Sequence, residues 1–254
     1  MNARRNSPFP ILVIVLLASV CLIIAEYAND ALTYLSGTTS AQIREPEIAA
    51  GTAFFVNSEG YLLTNAHVVS NCKGIRTADR EWIRLIAVDK EADLALLREE
   101  LVWEDDKHPI ATFRPFSPQV GDPVVVFGFP LPNLFSADGN LSTGTVAAKL
   151  GLRDNRRFIQ ITAPVRPGDA GGPVLDSGGN VIGVVVAKLD VIKAVKPSED
   201  VPENVNFAIP SSAAIRFLQT NYVSYRVAEH ASGLETVDVA ATAKQFTVAI
   251  QCKK

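Results

Sequence analysis

FIQITAPVRPGDAGGPVLDSGGNVIGVVVA, Phe158 to Ala187, alternates short apolar runs with turn residues. Phe158 to Ile161, Pro173 to Leu175 and Val181 to Val186 have the length and apolar, β-branched content of strands, and Ser177-Gly178-Gly179-Asn180 is a hairpin turn. Arg166 to Asp176 is a glycine-rich turn running into the second of these strands, because glycine permits the backbone reversals that a side chain resists. Three brief strands with tight connections in thirty residues point to an all-β fold.

The same texture extends in both directions. Gly51 to Val56, the turn Ser58-Glu59-Gly60 and Tyr61 to Thr64 have hairpin chemistry. Further strands are predicted at Trp82 to Asp89, Leu94 to Leu97, Pro123 to Phe127, Leu141 to Val146, Val205 to Ile209 and Phe246 to Gln251, a number that fits two barrels. Ser211 and Ser212 offer an N-cap to a closing helix that runs to about Tyr222 on the pattern Ala214, Ile215, Phe217, Leu218. Hydrophobic residues make up 48% of the 254 and charged ones 20%, enough for a globular core. The net charge of -3, with no basic block, excludes a nucleic-acid partner.

The chain opens with Arg4 and Arg5 before an uncharged apolar run, Ile11 to Ala25, at the border between a signal peptide and a membrane span. Residues 1–28 are therefore read as a signal peptide or an anchor in the inner membrane through residues 11–25, with the arginines on the cytoplasmic side and the rest exported. Residues 29–46 are small, polar and mixed, as in a linker. The folded domain is expected over 47–222, and 223–254 as a helix-plus-strand tail packing on it.

Three segments concentrate the polar chemistry. TNAHVV, Thr64 to Val69, places His67 just past a strand end; EADLALL, Glu91 to Leu97, places Asp93 before an apolar stretch that would bury it; and the third is the glycine turn around position 170. A hydroxyl nucleophile needs an imidazole to take its proton and a buried carboxylate to fix that imidazole's tautomer, which are roles for His67 and Asp93. The turn Gly168-Asp169-Ala170 can aim the Gly168 and Ala170 N–H groups at one spot, an oxyanion hole.

GTAFFVNSEGYLLTNAHVV, DLALL, the long segment quoted first and VNFAIPSS, in that order, resemble the trypsin-like serine proteases, and most closely their bacterial HtrA/Deg-type branch, over roughly Ala50 to Leu218. The resemblance implies a double antiparallel β-barrel with the site between the barrels, and peptide-bond hydrolysis of protein or peptide substrates without a cofactor. It also exposes a departure. The family's serine falls where this chain has Ala170, so the chain as written is expected to be inactive. It is either a natural pseudoprotease serving as an exported peptide-binding module, or a form whose nucleophile was exchanged to trap substrate or suppress self-cleavage. No PDZ domain is expected, because few residues follow Pro210.

By the same resemblance, Pro164 marks the base of the substrate side-chain pocket and Val184, Val185, Val186 and Ala187 its wall, an uncharged lining suited to small or medium apolar side chains. Ser177 lies in the Ser-Gly-Gly-Asn hairpin turn and Ser142 and Ser211 have no glycine nest beside them, so none is a substitute nucleophile; His108 and His230 lack catalytic company. No Cys/His spacing suggests a metal site. Cys21 falls in the apolar segment, leaving Cys72 and Cys252 either as a bridge tying the last strand to the first barrel or as two separate thiols.

Overall fold

The structure, a computed structural model, describes residues 48–77, 82–99, 109–130, 138–151, 154–186, 205–228 and 233–254. In chain order these form β1 (Ile48–Phe55), β2 (Tyr61–Thr64), β3 (Gly74–Thr77), β4 (Ile83–Asp89), β5 (Leu94–Glu99), β6 (Thr112–Phe113) and β7 (Pro123–Gly128). There follow β8 (Asn140–Ala148), β9 (Ile159–Ile161), β10 (Pro173–Leu175), β11 (Val181–Val186), β12 (Asn206–Pro210), α1 (Ser211–Thr220), β13 (Arg226–Val227), α2 (Thr236–Phe246) and β14 (Thr247–Lys253). The segments read as signal or anchor and as linker, together with Cys21, His108, Ala187 and His230, lie outside the described residues. Among the described residues no helix is long and apolar enough to cross a membrane.

Two antiparallel barrels result, as the sequence implied. The first closes in the order β1-β14-β3-β4-β5-β2, the β1–β2 pairing completing the ring. The second runs β10-β7-β8-β9-β12-β11 and closes through β10–β11, with β6 and β13 added in parallel beyond β11.

β7 shows why the strands read as apolar runs rather than alternations. Its Val124 and Val126 pack with Val146, Ile161, Val174 and Ile182, whereas Val125 and Phe127, on the other face, join the larger cluster that includes Phe54, Leu63 and Leu96 of the first barrel. Both faces are buried, so both must be apolar. β4 differs: Arg84, Leu85, Ile86 and Val88 are all exposed.

Residues 223–254 do more than pack on a finished domain. β14 is inserted between β1 and β3, pairing from Ile48↔Lys253 to Phe54↔Thr247 on one side and from Gly74↔Lys253 to Thr77↔Ile250 on the other. Cys252 on this strand is disulfide-bonded to Cys72, with Cα atoms 5.2 Å apart, and the Lys73 N–H donates to the Lys253 carbonyl at 2.7 Å. The end of the chain is thereby tied to the segment that follows His67. Preceding β14, α2 buries Val239, Ala243 and Phe246, a helical i, i+4, i+7 spacing.

The closing helix α1 also departs from its sequence reading. Its N-cap position is Pro210, with no side-chain cap, and the Ser211 hydroxyl donates instead to the Arg114 carbonyl at 2.8 Å. A tertiary bond to the β6 end thus takes the hydroxyl that a local cap would have used.

Candidate active site

His67 lies in the turn that follows β2, and Asp93 ends the tight turn from β4 into β5 with φ 55°, a left-handed conformation that aspartate tolerates better than most residues. From there Asp93 grips the His67 turn at four points. Its Oδ2 is 2.8 Å from His67 Nδ1, its Oδ1 accepts the His67 backbone N–H at 3.0 Å, and its carbonyl accepts the Ala66 N–H at 3.2 Å and Asn65 Nδ2 at 3.0 Å. With the carboxylate ionised, the network places the imidazole proton on Nδ1, which makes Nε2 the basic nitrogen. The pair is neither sealed nor loose: the side chains are 28% and 21% exposed.

The glycine turn belongs to the second barrel but is held by the first. Thr52 of β1 donates its N–H to the Ala170 carbonyl at 2.8 Å and its hydroxyl to the Gly168 carbonyl at 2.7 Å, and that hydroxyl also accepts the Phe129 N–H at 3.0 Å. Gly171 has φ +86°, and a Cβ there would strike the Thr52 carbonyl and the Thr64 hydroxyl. Only glycine fits where the two barrels meet. The Gly171 N–H donates to Val185 O at 3.0 Å and the Val185 N–H to Gly172 O at 2.8 Å, clamping the turn to β11. Among the described residues neither the Gly168 N–H nor the Ala170 N–H donates to a protein acceptor. Ala170 is buried, and its methyl group ends where a hydroxyl would begin.

Thr52, Thr64 and Asn65 carry much of this geometry, and sequence reasoning singled out none of them. All three are fully buried polar residues. The available signal was the place of Thr52 and Thr64 inside otherwise apolar strands and of Asn65 directly after one, since a buried polar side chain is kept where its hydrogen bonds are made.

Of the residues assigned to a side-chain pocket, Pro164 is exposed and its carbonyl accepts the Ser142 hydroxyl at 2.6 Å. Val184 and Val186 lie in the same apolar cluster as Ala170, but Val185 packs inside the second barrel with Val124, Val126 and Ile182. Strand alternation makes this unavoidable: three consecutive residues of β11 cannot share one face. Val184 and Val186 share the face opposite to Val185, and both are core residues, 0% and 2% exposed. Ser142 and Ser211 are both engaged with carbonyls, and Ser177 sits in the Asp176–Asn180 turn. Among the described residues no three His, Cys, Asp or Glu side chains are grouped to hold a metal ion.

Asp169 is the electrostatic oddity of the turn. Its Oδ2 accepts the Arg166 N–H at 2.8 Å, whereas Oδ1 is buried without a partner, in the space a Cβ on Gly128 would need. Burial pushes its pKa from 3.8 up to about 6, against the opposing pull of the Arg166 N–H and guanidinium. An acid with a raised folded-state pKa keeps its proton while the unfolded chain loses its own. Stability therefore falls as pH rises from about 4 to about 6, by about 3 kcal/mol in all, and stays reduced above that. Asp169→Asn is expected to remove this contribution. In urea unfolding, the stability of the variant relative to the parent should grow by about 2–3 kcal/mol between pH 4 and pH 7.5; a constant difference would show that Asp169 titrates alike in both states.

Comparison with known proteins agrees with this architecture. The trypsin-like peptidase domain family matches residues 51–184. The uncharacterized protein y4bJ of Sinorhizobium fredii is 39% identical over 222 residues, which cover 86% of this chain and 34% of that protein. A probable periplasmic serine endoprotease, DegP-like, of Bartonella henselae is 35% identical over 182 residues, covering 68% of this chain and 33% of the other. Serine protease HTRA1A of Danio rerio is 31% identical over 191 residues, covering 70% and 36%. Among solved structures, the HtrA-type protease AlgW with a decapeptide superposes with a TM-score of 0.53 at 28% identity, covering 67% of this chain and 50% of that one. The chain spans about a third of the length of the curated relatives it matches.

Proposed function

This chain belongs to the trypsin-like peptidases, among relatives of HtrA and DegP type, and from that membership we propose that it binds extended peptide in the cleft between its barrels without cleaving it. The observation that carries the proposal is the combination of an intact His67–Asp93 pair, 2.8 Å apart, with a methyl group at position 170. In the family's chemistry His67 Nε2 is the nitrogen that takes the nucleophile's proton, and the Gly168 and Ala170 N–H groups are the donors that would receive a carbonyl oxygen. What is missing is the oxygen that would attack. Acyl transfer stops before its first bond forms, because no residue can enter the covalent intermediate.

The alternative within the same family is a serine endopeptidase in an inactivated form, whose active parent would differ from this chain by the one oxygen of a serine at position 170. The uncharged character of the positions assigned to the main pocket, Pro164 and Val184 to Ala187, supports an apolar preference for the side chain that enters it. The paired arginines before an apolar N-terminal run, and the periplasmic assignment of DegP-like relatives, support an extracytoplasmic location.

The test is covalent labelling. The parent should not react with a peptidyl phosphonate, which requires an activated hydroxyl, whereas Ala170→Ser should react at position 170 and a further His67→Ala change should abolish the reaction. A folded but inert Ala170→Ser protein would remove the catalytic reading of His67 and Asp93.

A further inference from the structure

Four cations from four strands meet on the outer face of the first barrel. Lys253 of β14 pairs with Gly74 of β3, and Gln251 with Arg76. Ile75 pairs with Ile83, which sets Gly74 and Arg76 beside Arg84 and Trp82, and Arg84 pairs in turn with Arg98 of β5. Directly paired residues share a face, and Ile75 and Ile83 are buried, so Arg76, Trp82, Arg84, Arg98 and Lys253 all lie on the opposite, outer side. Beyond Arg84 the register slips between Leu85 and Ala87, a bulge that ends the regular alternation of β4. No run in the sequence announces this face, because only strand pairing assembles it.

Its charges are not balanced within the domain. Among the described residues none of the four cations forms an ion pair with a carboxylate. Arg76 Nε donates to the neutral Gln251 Oε1 at 2.9 Å, and the Arg98 guanidinium stands 5.0 Å from the centre of the Tyr61 ring. Arg84 and Arg98 are directly opposite each other, where like charges repel. Yet the chain as a whole carries a net charge of -3, so these cations are set apart from the acidic surplus and are open to an external anion. Trp82 completes the face. It is 62% exposed and lies against Gly74, where a Cβ would strike the indole ring, so the side chain is held on the sheet rather than buried in it.

We infer that this face docks the domain on a bilayer surface carrying anionic phospholipid, with Trp82 entering the headgroup layer. Two observations select that occupant. The cations match lipid phosphates while an open indole matches the boundary between headgroups and acyl chains, and a bilayer surface meets both needs at once. The other is the place of the face in the chain: Ile48, at the start of β1, pairs with Lys253 at its margin. Residues 29–46, as a flexible linker, reach only about 20–25 Å, so a membrane segment at residues 11–25 would keep this face close to lipid. The surface owes nothing to peptide binding in the cleft; it takes its location from the reading of residues 11–25 as a membrane segment.

The experiment uses the full chain carrying Trp103→Phe, which leaves Trp82 as the only tryptophan. It is reconstituted with vesicles of phosphatidylcholine, or of an equal mixture with phosphatidylglycerol, in which the acyl chains carry bromine near the headgroup to quench an indole on contact. Trp82 should be quenched in the mixed vesicles alone, and high salt should restore its emission. Arg84→Gln with Lys253→Gln should lower the ratio of docked to free Trp82 about 25-fold, at about fivefold per cation, whereas Arg84→Lys with Lys253→Arg should preserve it. Circular dichroism checks that both pairs are folded. At high salt the chain either stays on the vesicles, held by residues 11–25, or leaves them, which removes the anchor and makes the face alone responsible for the anionic binding; both outcomes agree with docking. The inference is overturned if Trp82 is quenched equally in neutral vesicles, if it is quenched in neither, or if the glutamine pair behaves as the parent. It is overturned too if Trp82 is shielded from acrylamide before lipid is added and the protein sediments as a dimer, which would give the face to a second copy of the chain.

Discussion

Ala170→Ser is expected to raise hydrolysis of an unfolded protein substrate by at least about a thousandfold over the parent. The ceiling is the roughly millionfold that separates complete serine proteases from those lacking the nucleophile. The parent's own rate is not zero, since an oxyanion hole and bound substrate alone can exceed water by on the order of 10³. The added oxygen enters a prepared place. Thr52 fixes the carbonyls of Gly168 and Ala170, Gly171 is held where only glycine fits, and the imidazole is already oriented by the Asp93 carboxylate 2.8 Å from Nδ1. In that background Asp93→Asn should cost about 10⁴ in rate, because an amide donating to Nδ1 favours the wrong tautomer, and His67→Ala should return the rate to that of the parent. A gain that survives His67→Ala would mean that the hydrolysis has another origin. No gain in a folded protein would leave peptide binding as the function of the cleft.

Deleting residues 247–254 is expected to abolish folding of the domain. The deletion removes β14, leaving β1 and β3 each with an unpaired edge and opening the ring between them. It also removes Ile250 and Cys252 from the core, and leaves α2 with β7 but without β14 to pack against. Cys72→Ser with Cys252→Ser provides the milder comparison. A link between residues 180 apart in sequence contributes about 4–5 kcal/mol on chain-entropy grounds, a large share of the roughly 5–15 kcal/mol that holds a domain together. Urea unfolding followed by tryptophan fluorescence should show a cooperative transition at reduced midpoint for the double serine variant and none for the truncated chain. A truncated chain that still unfolds cooperatively would show that the first barrel closes without β14.

Much of this was legible in the sequence because the informative residues are local. β2, β10 and β11 have the boundaries their apolar runs predicted, since Gly60, Gly172 and the Ser177–Asn180 turn mark their ends. His67, Asp93 and the glycine turn could be picked out by residue type and order. β3 was not: Gly74-Ile75-Arg76-Thr77 has one large apolar residue, and its existence depends on β14 pairing with it from far along the chain. β6 and β13 are two residues each, below any periodicity. α2 did carry a signal in Val239, Ala243 and Phe246, but small residues dilute it. The slip in β4 lay beyond reach for a different reason. A bulge is a relation between two strands, and nothing in the order Arg84-Leu85-Ile86-Ala87-Val88 states which residue its partner will skip.

The insertion of β14 also sets the order of events when the chain is made. Residues are delivered to the folding compartment from the N-terminus, so β1 to β5, with His67 and Asp93 among them, arrive long before the stave that completes their ring. The second barrel draws its strands from β7 to β12 and can close while the first is still open. The usual vectorial sequence, first domain first, is therefore reversed here, and the imidazole–carboxylate half of the cleft is assembled last. Until residue 253 has emerged and paired, the open edges of β1 and β3 stand exposed to other chains, which makes the interval before closure the period of greatest risk of misassociation.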